Sequence, residues 1–340
     1  MDVRRLFVAG IATVALVATG CGDQGGRTAA TPGTTSGRSD GFPVTIAHKF
    51  GETRIERPPA RVLSLGYQEH DAILALGVTP VAVRYWFGDE SDVIFRWADD
   101  EAGAAKPEIL KMPYGELNYE KITALRPDVI LGVYSGITEQ EYGTLSRIAP
   151  TVAQTADHVD FGVPWQEMTR TVGRALGRSD RAEQVVADLE AQFRAVRERH
   201  PEWNGRTVAV ATFRESTGNF GFFASQDPRS RFFTSLGFTV PKALDDAAGG
   251  KFFGEVSGER LSLLDTDLTV WDQLAYVKGG KATLQAHPLV AQMRSAREGR
   301  AIFLEGDLEA AFAFNSVLSL PFVLDGVVPM IEEAAKGFGR

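Results

Sequence analysis

Arg84, Tyr85, Trp86 and Phe87 stand in a row directly after a short apolar run at 81–83. One cation and three consecutive aromatics cannot all turn toward one core, so part of this row must be exposed or line something. The same combination recurs after other apolar runs. Gly66 and Tyr67 follow 61–65, Tyr134 and Ser135 follow 128–131, and Phe213, Arg214, Phe220, Phe222 and Phe223 follow 207–212. Trp271 follows 267–270, and Glu305, Phe312, Phe314 and Asn315 follow 301–304. Aromatic rings supply contact area at little entropic cost, and arginines supply charge-assisted hydrogen bonds to anionic oxygens. These are the residue types of a binding surface.

Residues that would break bonds or hold a bare metal ion do not assemble in the same way. His48, His70, His158, His200 and His287 are scattered, and none pairs at ligand spacing with another histidine or a cysteine, so no metal-ion site is assigned. Gly132-Val133-Tyr134-Ser135-Gly136 and Gly254-Glu255-Val256-Ser257-Gly258 miss the spacing of a nucleophile elbow. There is no phosphate loop, and no dinucleotide fingerprint follows 61–65. No catalytic residue is assigned. A secreted α/β enzyme is kept as a distant alternative, beside a structural or signalling surface protein.

The elements that must position these residues follow from periodicity. Stretches 45–49 and 53–55 flank Gly51 and read as a hairpin. Apolar strands at 61–65, 81–83 and 128–131 alternate with helices at 68–76, 119–125 and 139–148, and a helix at 165–176 follows. After Gly205 the pattern restarts, with strands at 207–211, 238–240, 267–271 and 301–304 and helices at 229–236 and 321–336. Strands alternating with helices at short spacing predict an α/β fold with mostly parallel sheets. Between the halves lies 180–199, where Ala182, Val185, Val186, Leu189, Phe193 and Val196 recur at helical spacing. Asp180 and Glu183 form a variant capping box, and Pro201 stops the helix after His200. A rod of roughly 30 Å results.

With 340 residues, more than one core is expected. The net charge of −8, with no block of like charges, argues against nucleic acid and against a polybasic membrane patch. The single cysteine, Cys21, rules out an internal disulfide. Arg4 and Arg5 precede an apolar segment at 6–18 that is short for a membrane span. Ala18-Thr19-Gly20-Cys21 resembles a bacterial lipoprotein signal, with Ala18 departing from the usual branched residue. Residues 22–41, rich in Gly, Thr and Ser, read as a flexible tether.

Several stretches together resemble the lipid-anchored substrate-binding proteins of iron–siderophore ABC importers. They are Arg57-Pro58-Pro59-Ala60-Arg61-Val62-Leu63-Ser64-Leu65 with Asp71 to Val78, Asn118-Tyr119-Glu120-Lys121-Ile122 with Leu125-Arg126-Pro127-Asp128-Val129-Ile130, and Leu145 to Val152. Leu236-Gly237-Phe238, Val256-Ser257-Gly258-Glu259-Arg260-Leu261, Asp265-Thr266-Asp267-Leu268, His287-Pro288-Leu289 and Ser319-Leu320-Pro321 continue the match. The resemblance lies in their order and spacing, over roughly residues 42–335.

The resemblance implies two Rossmann-like lobes joined by the single long helix, with ligand in the cleft between them. The divisions expected are a signal peptide at 1–20, a tether at 21–41 behind lipidated Cys21, an N-terminal lobe at 42–179, the helix at 180–199 and a C-terminal lobe at 200–340. A continuous helix predicts a closure of only a few degrees on binding. The implied ligand is a ferric siderophore, with Arg84 and Arg214 contacting its anionic oxygens and Tyr67, Tyr85, Trp86, Tyr134, Phe220, Trp271 and Phe312 forming the walls. Haem, ligated through Tyr67, Tyr85 or Tyr134, is the alternative, with cobalamin behind it. No cofactor is expected. Glu120 and Glu259 are implied to dock on the permease, with Glu116 and Glu255 as neighbours that could be the pair. The implied protein is a monomer held by its lipid to the outer face of the cytoplasmic membrane.

Overall fold

The computed structural model describes residues 41–88, 92–104 and 106–338. The expected signal peptide, Cys21 and the tether up to residue 40 lie outside the described residues. The chain opens with an antiparallel hairpin, β1 (Val44–His48) and β2 (Gly51–Ile55). Its inward residues Ile46 and Ile55 are buried.

Two five-stranded sheets follow. The first holds β3 (Val62–Ser64), β4 (Ala82–Arg84), β5 (Glu108–Leu110), β6 (Val129–Gly132) and β7 (Thr151–Ala153), all parallel, in the order β5-β4-β3-β6-β7. Every residue of β3, β4, β6 and β7 is buried, as parallel strands covered on both faces must be. The second holds β8 (Val208–Arg214), β9 (Asn219–Phe223), β10 (Phe253–Val256), β11 (Leu268–Trp271) and β12 (Ala301–Phe303), in the order β10-β9-β8-β11-β12. Here β8, β11 and β12 are parallel, while β9 folds back antiparallel on β8 and β10 runs antiparallel to β9. The stretch 238–240 does not form a full strand; only Thr239 bridges to Thr207.

The helix Ser179–Arg199 lies between β7 and β8 in the chain and buries Ala182, Val186, Leu189, Phe193 and Val196. It packs on the helix Trp165–Leu176, where Gly173 faces Ala182 so closely that a Cβ on Gly173 would lie 2.4 Å from the Ala182 Cβ. On the other side Phe193 meets Phe232 edge to face, with centroids 5.6 Å apart. The expected capping box is not formed. The helix starts one residue earlier, Asp180 sits inside its first turn, and the Glu183 carboxylate accepts instead from Arg170 Nε at 3.0 and 3.1 Å.

A second seam joins the sheets. Phe314 ends the helix Gly306–Phe314 of the second half, and Asn315 follows in the left-handed region at φ 49°. Its ring packs against His70, Trp86, Phe87, Phe95 and Trp97 of the first half, at centroid distances of 4.8 to 5.6 Å. Beside it the Ser316 hydroxyl and Trp97 Nε1 both donate to the buried Asp71 carboxylate, and Gln68 Nε2 donates to the Ala313 carbonyl at 3.4 Å.

In each sheet the chain order reverses beside its first strand, between β3 and β6 and between β8 and β11. Open α/β sheets bind ligands beyond the carboxyl ends of strands at this point. At the first switch point a buried carboxylate pins the two loops. Glu69 Oε1 accepts from the Gly66 amide at 2.9 Å and the Val133 amide at 3.0 Å. A Cβ at 66 would lie 1.9 Å from Glu69 Oε2, so any larger residue there would displace the carboxylate that pins the loops.

Burial pushes the Glu69 carboxyl up from 4.5 to about 7, against the pull of these amides. Between those values the folded chain keeps a proton that the unfolded chain releases, so stability falls as pH rises through the window. Glu69→Gln removes the titration and keeps an oxygen for both amides. In urea unfolding, the stability difference between variant and wild type is expected to move in the variant's favour by about 3 kcal/mol from about pH 4 to about pH 8. A difference that does not change with pH contradicts the assignment.

Candidate ligand-binding cleft

The carboxyl ends of both sheets open on one cavity of about 770 Å³, a size suited to a small-molecule ligand. Tyr67 follows β3, Tyr85 and Trp86 follow β4, Lys111, Met112, Pro113 and Tyr114 follow β5, and Tyr134 follows β6. Phe161, in the loop after β7, completes this side. From the second half come Arg214, Phe223, Asp227, Arg229, Phe252, Phe253 and Gln273. More than half of the lining residues are aromatic.

The rings are placed by specific supports. The Tyr67 amide donates to the Tyr134 carbonyl at 3.1 Å, so the loops after β3 and β6 advance together. The Tyr67 ring lies 5.6 Å from Trp86 and 6.3 Å from Phe161. Phe161 adopts a left-handed φ of 63°, a conformation costing about 1–3 kcal/mol outside glycine and often found at ligand clamps. In that position it touches Tyr67, Tyr114, Tyr134 and, across the cleft, Phe252 at 6.4 Å.

Arg84 is expected from the sequence to contact ligand, but its guanidinium is buried behind the wall. Nε donates to the Met112 carbonyl at 2.7 Å and Nη2 to the Pro113 carbonyl at 2.6 Å, while the group lies 4.5 Å from the Tyr67 ring centroid. It braces the 112–114 loop and Tyr67 instead of reaching into the cavity. Arg214 does line the cavity; its Nε is 3.4 Å from Glu255 Oε1 and its guanidinium lies over Phe253.

Phe220, Trp271 and Phe312 are fully buried and do not line the cavity. Side chains alternate along a strand, so Phe220 and Phe223 of β9 point to opposite faces and only Phe223 reaches the cleft. Phe220 packs on Phe213, Trp271 and His287, Trp271 packs on Phe303, and Phe312 packs on Phe232 and Phe233. All three belong to the core of the second half. Tyr67, Tyr85, Trp86, Tyr134 and Arg214 are brought together around one cavity.

Sequence reasoning missed the charged floor. Arg229 Nε lies 2.9 Å from Asp272 Oδ2, Arg229 Nη1 lies 3.6 Å from Asp227 Oδ1, and the guanidinium covers the Phe223 ring at 4.4 Å. Asp227 also caps the helix Pro228–Ser235, accepting from the Arg229 amide. Burial alone would drive the guanidinium toward neutrality, but the two carboxylates outweigh it and hold Arg229 charged. Phe252 and Phe253 were missed as well, although a phenylalanine doublet between Lys251 and Gly254 raises the same question as the row at 85–87.

Glu120 and Glu259 are both exposed, each in the first turn of a short helix, Tyr119–Ala124 and Gly258–Leu264. Glu116 is exposed, and Glu255 is engaged with Arg214. Among the described residues no group of three or more His, Cys, Asp and Glu could hold a metal ion, and no helix is long and apolar enough to cross a membrane.

Comparison with known proteins places this geometry in a family. The ferric-anguibactin-binding protein FatB of Vibrio anguillarum is 26% identical over 298 residues, covering 84% of this chain and 87% of FatB. The Fe(3+)-citrate-binding protein YfmC of Bacillus subtilis is 25% identical over 234 residues, 68% of this chain and 70% of YfmC. Among solved structures, a periplasmic solute binding protein from Mycobacterium smegmatis shares 32% identity with a TM-score of 0.75, over 86% of this chain and 98% of its own. Streptococcus pneumoniae PiaA, solved in complex with ferrichrome, shares 26% identity with a TM-score of 0.74, over 86% of this chain and 99% of its own. The family model described as periplasmic binding protein matches residues 62–308, and with two sheets opening on one cleft the chain belongs to the periplasmic binding protein family.

Proposed function

We propose that this protein is the solute-binding component of an ABC importer, that it captures a ferric siderophore in the cleft, and that it hands the chelate to a membrane permease without chemical change. The observation that carries this is the cavity itself, walled by aromatic rings from both sheets and the loops beside them. Relatives named for ferric anguibactin and Fe(3+)-citrate support an iron chelate as cargo. The division into lobes at 42–179 and 200–340 around the helix, the lipid on Cys21, the position on the outer face of the cytoplasmic membrane and the monomeric state belong to the same proposal.

Haem is the weaker reading. A tyrosine that ligates ferric iron does so as phenolate. Burial pushes the Tyr134 phenol well above its usual range and raises that of Tyr67. The Tyr85 hydroxyl donates to the Gly88 carbonyl at 3.0 Å.

Replacing Tyr67 and Trp86 together by alanine removes two adjoining rings of one wall. Calorimetric titration with a panel of ferric siderophores is expected to show binding to the wild type, and a loss of at least about tenfold in the double variant. Unchanged affinity, or binding of haem alone, contradicts the reading.

Glu120 and Glu259 are proposed as the permease contacts, one from each lobe, because both carboxylates are exposed. Glu120→Arg with Glu259→Arg is expected to abolish siderophore-dependent iron uptake in cells while purified protein binds the chelate within about twofold of wild type. Normal uptake by that variant removes the docking assignment.

A further inference from the structure

We propose that the cleft selects ferric chelates of little or no net charge and disfavours strongly anionic ones, an inference that rests on the ferric-siderophore reading above. The charges that face the cavity are already met by partners within the protein. Arg229 is flanked by two carboxylates, Asp272 and Asp227, at 2.9 and 3.6 Å, so the floor has no surplus positive charge before a ligand arrives. Arg214 is paired with Glu255 at 3.4 Å and lies over the Phe253 ring. Lys111 at the rim has a partner of its own.

The cations behind the wall are also committed. Arg84 donates to the Met112 and Pro113 carbonyls and also lies within the field of Glu141. Arg231 donates to the Gly162 carbonyl, with the fields of Asp227 and Glu167 acting on it. Glu309 lies in the field of Asp272, and burial together with that field pushes its carboxyl up to about 7. A strongly anionic ligand that engaged the floor would have to break the Arg229 pair, and freeing Arg229 would leave Asp272 buried and uncompensated; the half-exposed Arg214–Glu255 pair opposes it only weakly.

The remaining wall points the same way. Tyr67, Trp86, Phe161, Phe223, Phe252 and Phe253 line the cavity with aromatic rings. An aromatic face is the negative side of a quadrupole, so it favours CH groups and cations over bare anions. An uncharged chelate whose iron is wrapped by singly charged hydroxamates, with amide and alkyl groups outward, meets each of these requirements. A chelate of doubly charged catecholates, or of several citrates, meets none.

The test is a direct comparison on the intact protein. Ferrichrome serves as the uncharged probe, ferric enterobactin as the tris-catecholate, and ferric citrate as the polycarboxylate, each titrated at low and high sodium chloride. Ferrichrome is expected to bind at least about 100-fold more tightly than either anion, with an affinity that changes less than about twofold with salt. Tight binding of either anion, weakened about tenfold or more by salt, overturns the charge inference and leaves the siderophore reading standing. Absence of binding by all three, with haem bound instead, overturns both.

Discussion

The spacing of the two sheets depends on one contact region around Phe314. That ring belongs to the second half of the chain, yet its neighbours His70, Trp86, Phe87, Phe95 and Trp97 all belong to the first. The buried Asp71 carboxylate ties the same region together by taking both Trp97 and Ser316 as donors. The helix Ser179–Arg199 is a second connection, and the Arg231–Gly162 hydrogen bond and the Phe161–Phe252 contact add to it, so the halves are not joined by flexible crossing strands alone. Trp86 has a part in both structures, since it packs on Phe314 and lines the cavity. Large hinge motion would have to unpack this aromatic region, so binding is expected to proceed with small adjustments.

The cleft inherits its chemistry from how each sheet ends. Glu69 pins Gly66 and Val133 so that Tyr67 and Tyr134 emerge together at the first switch point. At the second, Asp272 emerges after β11 and is met by Arg229 from the helix Pro228–Ser235. Charge is thus used to build the floor, and rings are left to meet the ligand. A buried pair of this kind fixes geometry more than it adds stability, because desolvation offsets much of the attraction.

Much of this was legible in the sequence where periodicity is strong. Apolar runs marked β3, β4, β6, β8, β11 and β12, and the face of Ser179–Arg199 was read from its spacing with only Val185 less buried than the rest. The short edge strands β5 and β7 and the glycine-interrupted β9 and β10 were missed, since three residues or an NFGFF run carry little alternation. Site residues were harder. Position after a strand brought Tyr67, Tyr85, Trp86, Tyr134 and Arg214 to the cavity. The same rule failed for Phe220, Trp271 and Phe312, because it does not say which face of a strand or helix a ring occupies. Arg84 failed for another reason: whether a strand-end arginine meets ligand or backbone carbonyls depends on a loop distant in sequence, here Met112 and Pro113.

The central claim is that an iron chelate is held between the two sheets and touches both. Anomalous diffraction at the iron absorption edge, from crystals of the protein with the ferric siderophore it binds most tightly, locates the metal without reference to the surrounding atoms. The expected result is one iron peak inside the cleft, with chelate density against Tyr67 and Trp86 on one side and Phe253 on the other. An iron peak outside the cleft, or a chelate touching residues of only one sheet, would contradict it.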